Sequence, residues 1–324
     1  MVREETPFTD RVDIPDKLLT FFGKRNWQLG IYIPQKGDNT LSYESVIGKN
    51  AEELPEKLDP ARIKDDGYPF TNIGEEDRRN ADASASQAIE SIYGRDGFGS
   101  IERAYMINGY TSPIRVQFKV HGKKTKREVY VKRPDASRIV GKYLYDIISG
   151  IPPVKYAFNE SVFIEENVPG KLISKSNEKI LLRYIDYQEG IVRAAVHAQF
   201  LGLPRDVSYG WNRFVDSQLR TMLFDFDLIF QKRDNMKNPL LNPYREDIDL
   251  SSDHFIRVAS QERLEVARRL SENKRRLREI GKIAGTMVEC DGKTLDQRIN
   301  EYDGSNSLGD YFESQIYELR HRWH

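Results

Sequence analysis

Four polar side chains in one short stretch have the types and the order needed to move a phosphoryl group. Between Leu203 and Phe230 the chain reads LPRDVSYGWNRFVDSQLRTMLFDFDLIF. It opens as a polar loop carrying Asp206 and Asn212, passes through short apolar runs, and closes on a carboxylate pair, Asp225 and Asp227, set among apolar residues. Phosphoryl transfer requires an acid group to orient the attacking hydroxyl, and amide or carboxylate oxygens to hold Mg²⁺ on the phosphates. Asp206 has the chemistry for the first role, and Asn212, Asp225 and Asp227 for the second. The plain alternative is a β-hairpin whose Asp and Asn residues make turns, their commonest use.

The stretch resembles the catalytic core of the protein-kinase-like superfamily, which takes in eukaryotic-type kinases and aminoglycoside or choline phosphotransferases. That pattern has an H-R-D or H-G-D loop, an asparagine soon after the Asp, and a D-F-G or D-F-D motif about a dozen residues further on. Asn212 and Asp225 stand 13 apart, as the pattern wants. Pro204 replaces the loop histidine, and six positions rather than five separate Asp206 from Asn212, so the loop needs one residue of bulge. The F-D-F-D ending is closer to the small-molecule phosphotransferases. The resemblance implies a two-lobed α+β fold, with an antiparallel-sheet N-lobe, a helical C-lobe and ATP between them. It also implies ATP and Mg²⁺ as cofactors, Lys132 and Asp206 as catalytic residues, and Asn212, Asp225 and Asp227 as metal ligands.

The elements around this stretch follow in the order the resemblance requires. Ile101–Ile107, Pro113–Val120 and Glu128–Lys132 alternate like strands and are divided by the turns Asn108-Gly109 and His121-Gly122-Lys123-Lys124, which predicts an antiparallel meander. The resemblance sets Lys132, at the end of the third strand, on the α- and β-phosphates. It sets Gly109, Thr111 and Ser112, in the turn between the first two strands, over the phosphate oxygens. The glycine-rich run Gly94–Ser100 precedes the first strand and reads as a plain loop. Asp135–Ser149 is predicted as a helix with Ile139, Val140, Tyr143, Leu144, Ile147 and Ile148 on its apolar face, stopped by Gly150 and Pro152-Pro153. It has no glutamate to pair with Lys132; Asp146 is the nearest stand-in, then Asp135.

Two short strands, Lys155–Phe158 and Ser161–Glu165, lead into EENVPGKL, which is similar to the hinge of small-molecule kinases, so Glu165 and Glu166 are expected at the nucleotide. Helices are predicted over Asn177–Tyr187, Gln188–Leu201, Gln261–Val288 and Gly309–Trp323. A rival acidic site lies downstream at Asp234, Asn238 and Asp253, similar to the motifs of certain lipid-kinase-like enzymes. It leaves too little chain behind it for a helical lobe. No A-P-E segment follows Asp225, so the expected acceptor is a hydroxyl on a small molecule, or on a protein handled by an atypical kinase.

Composition bounds the remaining choices. The 324 residues allow a kinase-sized unit with an extension: 1–100 of unknown role, 101–168 as N-lobe and hinge, and 169–324 as helical C-lobe. Lys plus Arg and Asp plus Glu both number 50, so no global field draws the chain to nucleic acid or an anionic membrane. A local basic stripe does exist on the predicted helix 264–282, and it offers a docking surface for nucleic acid or an acidic protein. A catalytically silent scaffold and a nucleic-acid-associated binding protein are therefore the competing functions. A single cysteine, Cys290, excludes an intramolecular disulfide framework. The opening residues have no signal-peptide core and no run reaches the length of a membrane span, which predicts a soluble, cytoplasmic protein.

Overall fold

The computed structural model of the chain describes residues 98–106, 114–124, 126–132, 135–151, 156–158, 163–166, 171–172, 175–203, 213–216, 218–224, 226, 229–230, 248–286 and 292–321, with Ser86, Ile89, Glu90 and Gly94. It is a mixed α+β structure in which antiparallel strands dominate one compact unit and helices the other.

The first unit is built from β1 (Ser100–Met106), β2 (Ile114–Lys119), β3 (Lys126–Lys132), β4 (Tyr156–Phe158) and β5 (Phe163–Glu166). They form an antiparallel sheet in the order β1-β2-β3-β5-β4. Alternation along each strand sorts the side chains onto two faces. Val116 lies opposite Val129, and Val131 opposite Ile164, on one apolar face. Tyr130 opposite Glu165, and Lys132 opposite Phe163, occupy the other. Residues on both faces are buried, charged ones included. β3 begins at Lys126, earlier than the apolar pattern predicts, because Lys126 and Arg127 continue the register against Lys119 and Phe118. Near Glu102 the β1–β2 register shifts, and Glu102 there binds Lys119 and Lys126 at 3.1 and 2.6 Å.

The second unit opens with α1 (Ala136–Ser149). The sequence predicts an apolar stripe, yet every residue of α1 is buried, among them Arg138, Lys142 and Asp146. Burial of such groups requires partners. Lys142 Nζ donates to Asp146 Oδ1 at 2.6 Å, one turn along the helix. Ser137 accepts from Arg298 at 2.7 Å, and the carbonyl of Ile148 accepts from Arg269 at 2.5 Å.

After β6 (Lys171–Leu172) come α2 (Lys175–Leu181) and α3 (Ile185–Leu201). The break between these helices falls before Ile185, whereas the pattern predicts it after Tyr187. Gln188 turns its side-chain amide back to the carbonyl of Leu182 at 2.5 Å, and the Tyr187 hydroxyl donates to Glu178 at 3.0 Å, so both residues belong to the start of α3. Leu181, Tyr187, Ile191, Val215, Leu219 and Phe255 are among the buried residues of one core cluster of this unit.

The remaining elements are the hairpin β7 (Arg213–Val215) and β8 (Thr221–Leu223), then α4 (Asp253–Glu272), α5 (Lys274–Ala284), α6 (Leu295–Asp303) and α7 (Leu308–His321). The long helix predicted from Gln261 starts at Asp253 and divides at Asn273. Ser252 is its N-cap, accepting from the amide of Phe255, and Asn273 bends its side chain back to the carbonyl of Arg269 at 2.8 Å. Thr294 and Gln297 close a capping box on α6. Among the described residues no helix is long and apolar enough to cross a membrane.

Candidate functional site

Asp206, Asn212, Asp225 and Asp227 lie outside the described residues, and the segments on either side of them fix where this stretch begins and ends. α3 delivers the chain to Leu203 through Gly202, whose φ of 59° is left-handed. The amide of Leu203 returns to the carbonyl of Ala198 at 3.0 Å, closing a helix end of the Schellman type. A Cβ on Gly202 would lie 2.7 Å from the Cα of Phe230, so glycine is required by the close approach as well as by φ. The amide of Phe230 donates to the carbonyl of Leu201 at 3.0 Å. The two ends of the Leu203–Phe230 stretch are thus tied together at the foot of α3.

Within that stretch, Arg213 pairs with Leu223 and Val215 with Thr221. The chain enters β7 one residue after Asn212 and leaves β8 two residues before Asp225, at the same end of the hairpin. The far end is closed by Asp216, whose Oδ1 accepts from the amides of Gln218 and Arg220 at 2.8 and 2.9 Å. Leu219, with φ of 60°, completes this turn. Phe224 and Phe226, which bracket Asp225, are both buried. Phe224 meets Phe214 edge-on at 5.5 Å, and Phe226 lies 5.0 Å from the ring of Tyr145. The Tyr145 hydroxyl also accepts from the amide of Leu223 at 2.9 Å, and burial pushes its phenol well above the ordinary range. Gly141, one turn earlier on α1, permits this packing: a Cβ there would be 2.6 Å from the Cβ of Phe226.

Lys132 is buried at the end of β3, and its Nζ lies 3.3 Å from Oε2 of Glu165, itself buried on β5. The two stand diagonally across neighbouring strands, since Lys132 is opposite Phe163. The sequence looks to α1 for a carboxylate to face Lys132; on its own helix Asp146 is bound by Lys142, and on the sheet the carboxylate of Glu165 faces the lysine. Glu165, expected as a hinge residue acting through its backbone, contributes its side chain to an ion pair. Glu166, at the end of β5, is part-exposed and 3.9 Å from Arg127. Gly109, Thr111 and Ser112 lie outside the described residues, in the connection between Met106 and Ile114, which face each other in register.

Of the rival site, Asp234 and Asn238 lie outside the described residues, while Asp253 is the first residue of α4, where a carboxylate complements the helix dipole. His254 beside it is bonded to Glu189 at 3.0 Å. Among the described residues no three His, Cys, Asp or Glu side chains group to hold a metal. The residue types of the Leu203–Phe230 stretch are ones that suit a hard, oxygen-seeking cation.

A second polar centre, invisible to motif reading, is built on α3. Buried His197 bonds through Nε2 to Oε1 of Glu262 at 2.9 Å, across 65 residues of sequence. Arg193 and Arg269 reach the same carboxylate at 3.1 and 3.4 Å. Burial would raise the pKa of Glu262, but the hydrogen bonds from His197 and Arg193 outweigh it and hold the carboxyl at about 2. An i, i+4 spacing of Arg193 and His197 on α3 is the one signal the sequence offered for this cluster. No protein-family model matches the chain, and no curated protein matches it in sequence.

Proposed function

We propose that the chain is an ATP-dependent phosphotransferase of the protein-kinase-like, two-lobed type, moving the γ-phosphate to a hydroxyl of a small molecule or protein. The observation that carries this reading is the strand order β1-β2-β3-β5-β4, with α1 following β3 and the buried Lys132–Glu165 pair at the β3 end. A lysine held by a carboxylate at a strand end is oriented, and orientation is most of what phosphoryl transfer asks of a protein. In support, the stretch from Asp206 to Asp227 is framed by a hairpin that has Asn212 and Asp225 next to its same end.

In this reading Lys132 contacts the phosphates, Asp206 orients the acceptor hydroxyl, and Asn212, Asp225 and Asp227 hold Mg²⁺. The amides and hydroxyls of Gly109, Thr111 and Ser112 approach the phosphate oxygens. Mg²⁺ supplies charge neutralisation on the transferring group. The nucleic-acid alternative has less support, because several arginines of the basic stripe are paired: Arg268 with Glu265 and Glu272, Arg275 with Glu279, and Arg278 with Glu313.

The test is a thermal-shift titration with Mg²⁺-ATP, followed by transfer from γ-labelled ATP. The wild-type chain is expected to be stabilised by nucleotide only with Mg²⁺ present. Asp225→Asn is expected to abolish the metal-dependent part, and Asp206→Asn to keep binding while losing transfer. A flat wild-type titration removes the reading. Transfer that survives both substitutions overturns the residue assignment.

A further inference from the structure

An α-helix ends on four carbonyls that have no partner within it, and at a buried end each must be met by some other donor. For α3 these are the carbonyls of Ala198, Gln199, Phe200 and Leu201. Ala198, Phe200 and Leu201 are buried residues, which leaves little room for solvent to serve them. The amide of Leu203 reaches Ala198 at 3.0 Å, and the amide of Phe230 reaches Leu201 at 3.0 Å. Gln199 receives the amide of Gly202 at the longer distance of 3.3 Å. The strongest donors to the middle two come from more than a hundred residues away. The Tyr302 hydroxyl of α6 donates to Gln199 and the Tyr311 hydroxyl of α7 to Phe200, both at 2.5 Å.

The rings of the same tyrosines hold what lies beside those carbonyls, since an aromatic body packs while its polar tip bonds. Tyr311 meets the ring of Phe230 edge-on at 5.2 Å and lies against Phe200 at 5.7 Å. Tyr302 is 6.2 Å from Phe230, and its ring edge would be 3.2 Å from a Cβ on Gly202. The helix end and the return of the chain at Phe230 are therefore gripped together by α6 and α7.

Asp206 stands three residues beyond Leu203. Three residues span at most roughly 10 Å, so a shift of the helix end passes into the placement of Asp206. The segment bracketing Asp225 has a separate anchor, in the β7–β8 hairpin and the contacts of Tyr145 with Leu223 and Phe226. Lys132 has its own in Glu165.

We propose that Tyr302 and Tyr311 are positioning residues for phosphoryl transfer, acting through the end of α3 on the acceptor-orienting Asp206 and leaving nucleotide and metal binding to other elements. The proposal rests on the phosphotransferase reading above.

The experiment uses the full chain and γ-labelled Mg²⁺-ATP, with water in place of the acceptor hydroxyl. The water oxygen bonds to the γ-phosphorus as the bond to the ADP oxygen breaks, its proton passes by way of Asp206 to solvent, and labelled phosphate is counted. Tyr302→Phe and Tyr311→Phe keep the rings and remove the hydroxyls. Each is expected to lower kcat at least about ten-fold, because misplacement by an ångström is enough to cost that much, while KM for Mg²⁺-ATP stays within about two-fold. Ser252→Ala, which removes the N-cap of α4, is the stability control: it is expected to lower the melting temperature and to leave kcat within about two-fold. All are assayed well below their melting temperatures, and the part-exposed Tyr302 carries the test if Tyr311→Phe does not fold. Wild-type kcat in the folded tyrosine variants overturns the proposal, and so does an equal loss of kcat in Ser252→Ala, which would tie turnover to stability alone. In both cases an active wild type leaves the phosphotransferase reading standing. A wild-type chain that neither binds nor turns over Mg²⁺-ATP removes that reading and this role with it.

Discussion

Two buried acid–base pairs set the predictions at the scale of single residues. Lys132 and Glu165 are both withdrawn from water, so removing one charge leaves the other poorly solvated. Glu165→Ala is expected to lower unfolding free energy by about 3–5 kcal/mol, measured by urea denaturation. The double variant Lys132→Met with Glu165→Gln is expected to recover part of that loss. If both variants unfold like the wild type, the pair is not the anchor of that sheet face. Glu262 gives a pH prediction with a definite sign. Its carboxyl is held at about 2 against the usual 4.5, so its contribution is present above about pH 4.5 and disappears as pH falls through about 2. Stability curves of the wild type and Glu262→Gln should therefore lie furthest apart above pH 4.5 and converge toward pH 2. Parallel curves would mean that His197 and the arginines do not hold the carboxylate ionised.

The elements were legible to different degrees. The meander was read from period-two alternation and turn pairs, and β2 and β3 follow that reading closely. Helix ends were less legible, because caps depend on side chains that also make turns: Ser252 starts α4 well ahead of its apolar pattern, and Asn273 divides what periodicity presents as one helix. α1 departs furthest from expectation, since burial of Arg138, Lys142 and Asp146 follows from its neighbours and not from its own pattern. At the end of α3 the requirement is backbone geometry. Gly202→Ala is expected to cost at least about 2 kcal/mol, from the left-handed φ and from overlap with the backbone of Phe230. Chemical denaturation of that variant is the check, and a cost below the αL penalty alone would mean that the Phe230 contact relaxes freely.

At the scale of the whole chain, charge balance and ion pairing point the same way. The positive and negative side chains are equal in number, and Arg268, Arg275 and Arg278 of α4 and α5 pair with glutamates of their own helices or of α7. The chain is expected to pass through an immobilised RNA or DNA column at physiological salt, and retention lost on neutralising Arg275, Arg276 and Arg278 would reverse that expectation. By itself the sequence determined the strand meander, the helix after it and the apolar faces of several helices, though not β6 or α6, because these depend on local periodicity and on chemistry carried by single side chains. Only the tertiary structure decided which carboxylate faces Lys132, that Leu203 and Phe230 meet at one helix end, and that Tyr302 and Tyr311 close it. Each of those joins atoms far apart along the chain, and such distances are set by strand register and helix packing, which no short window of sequence contains.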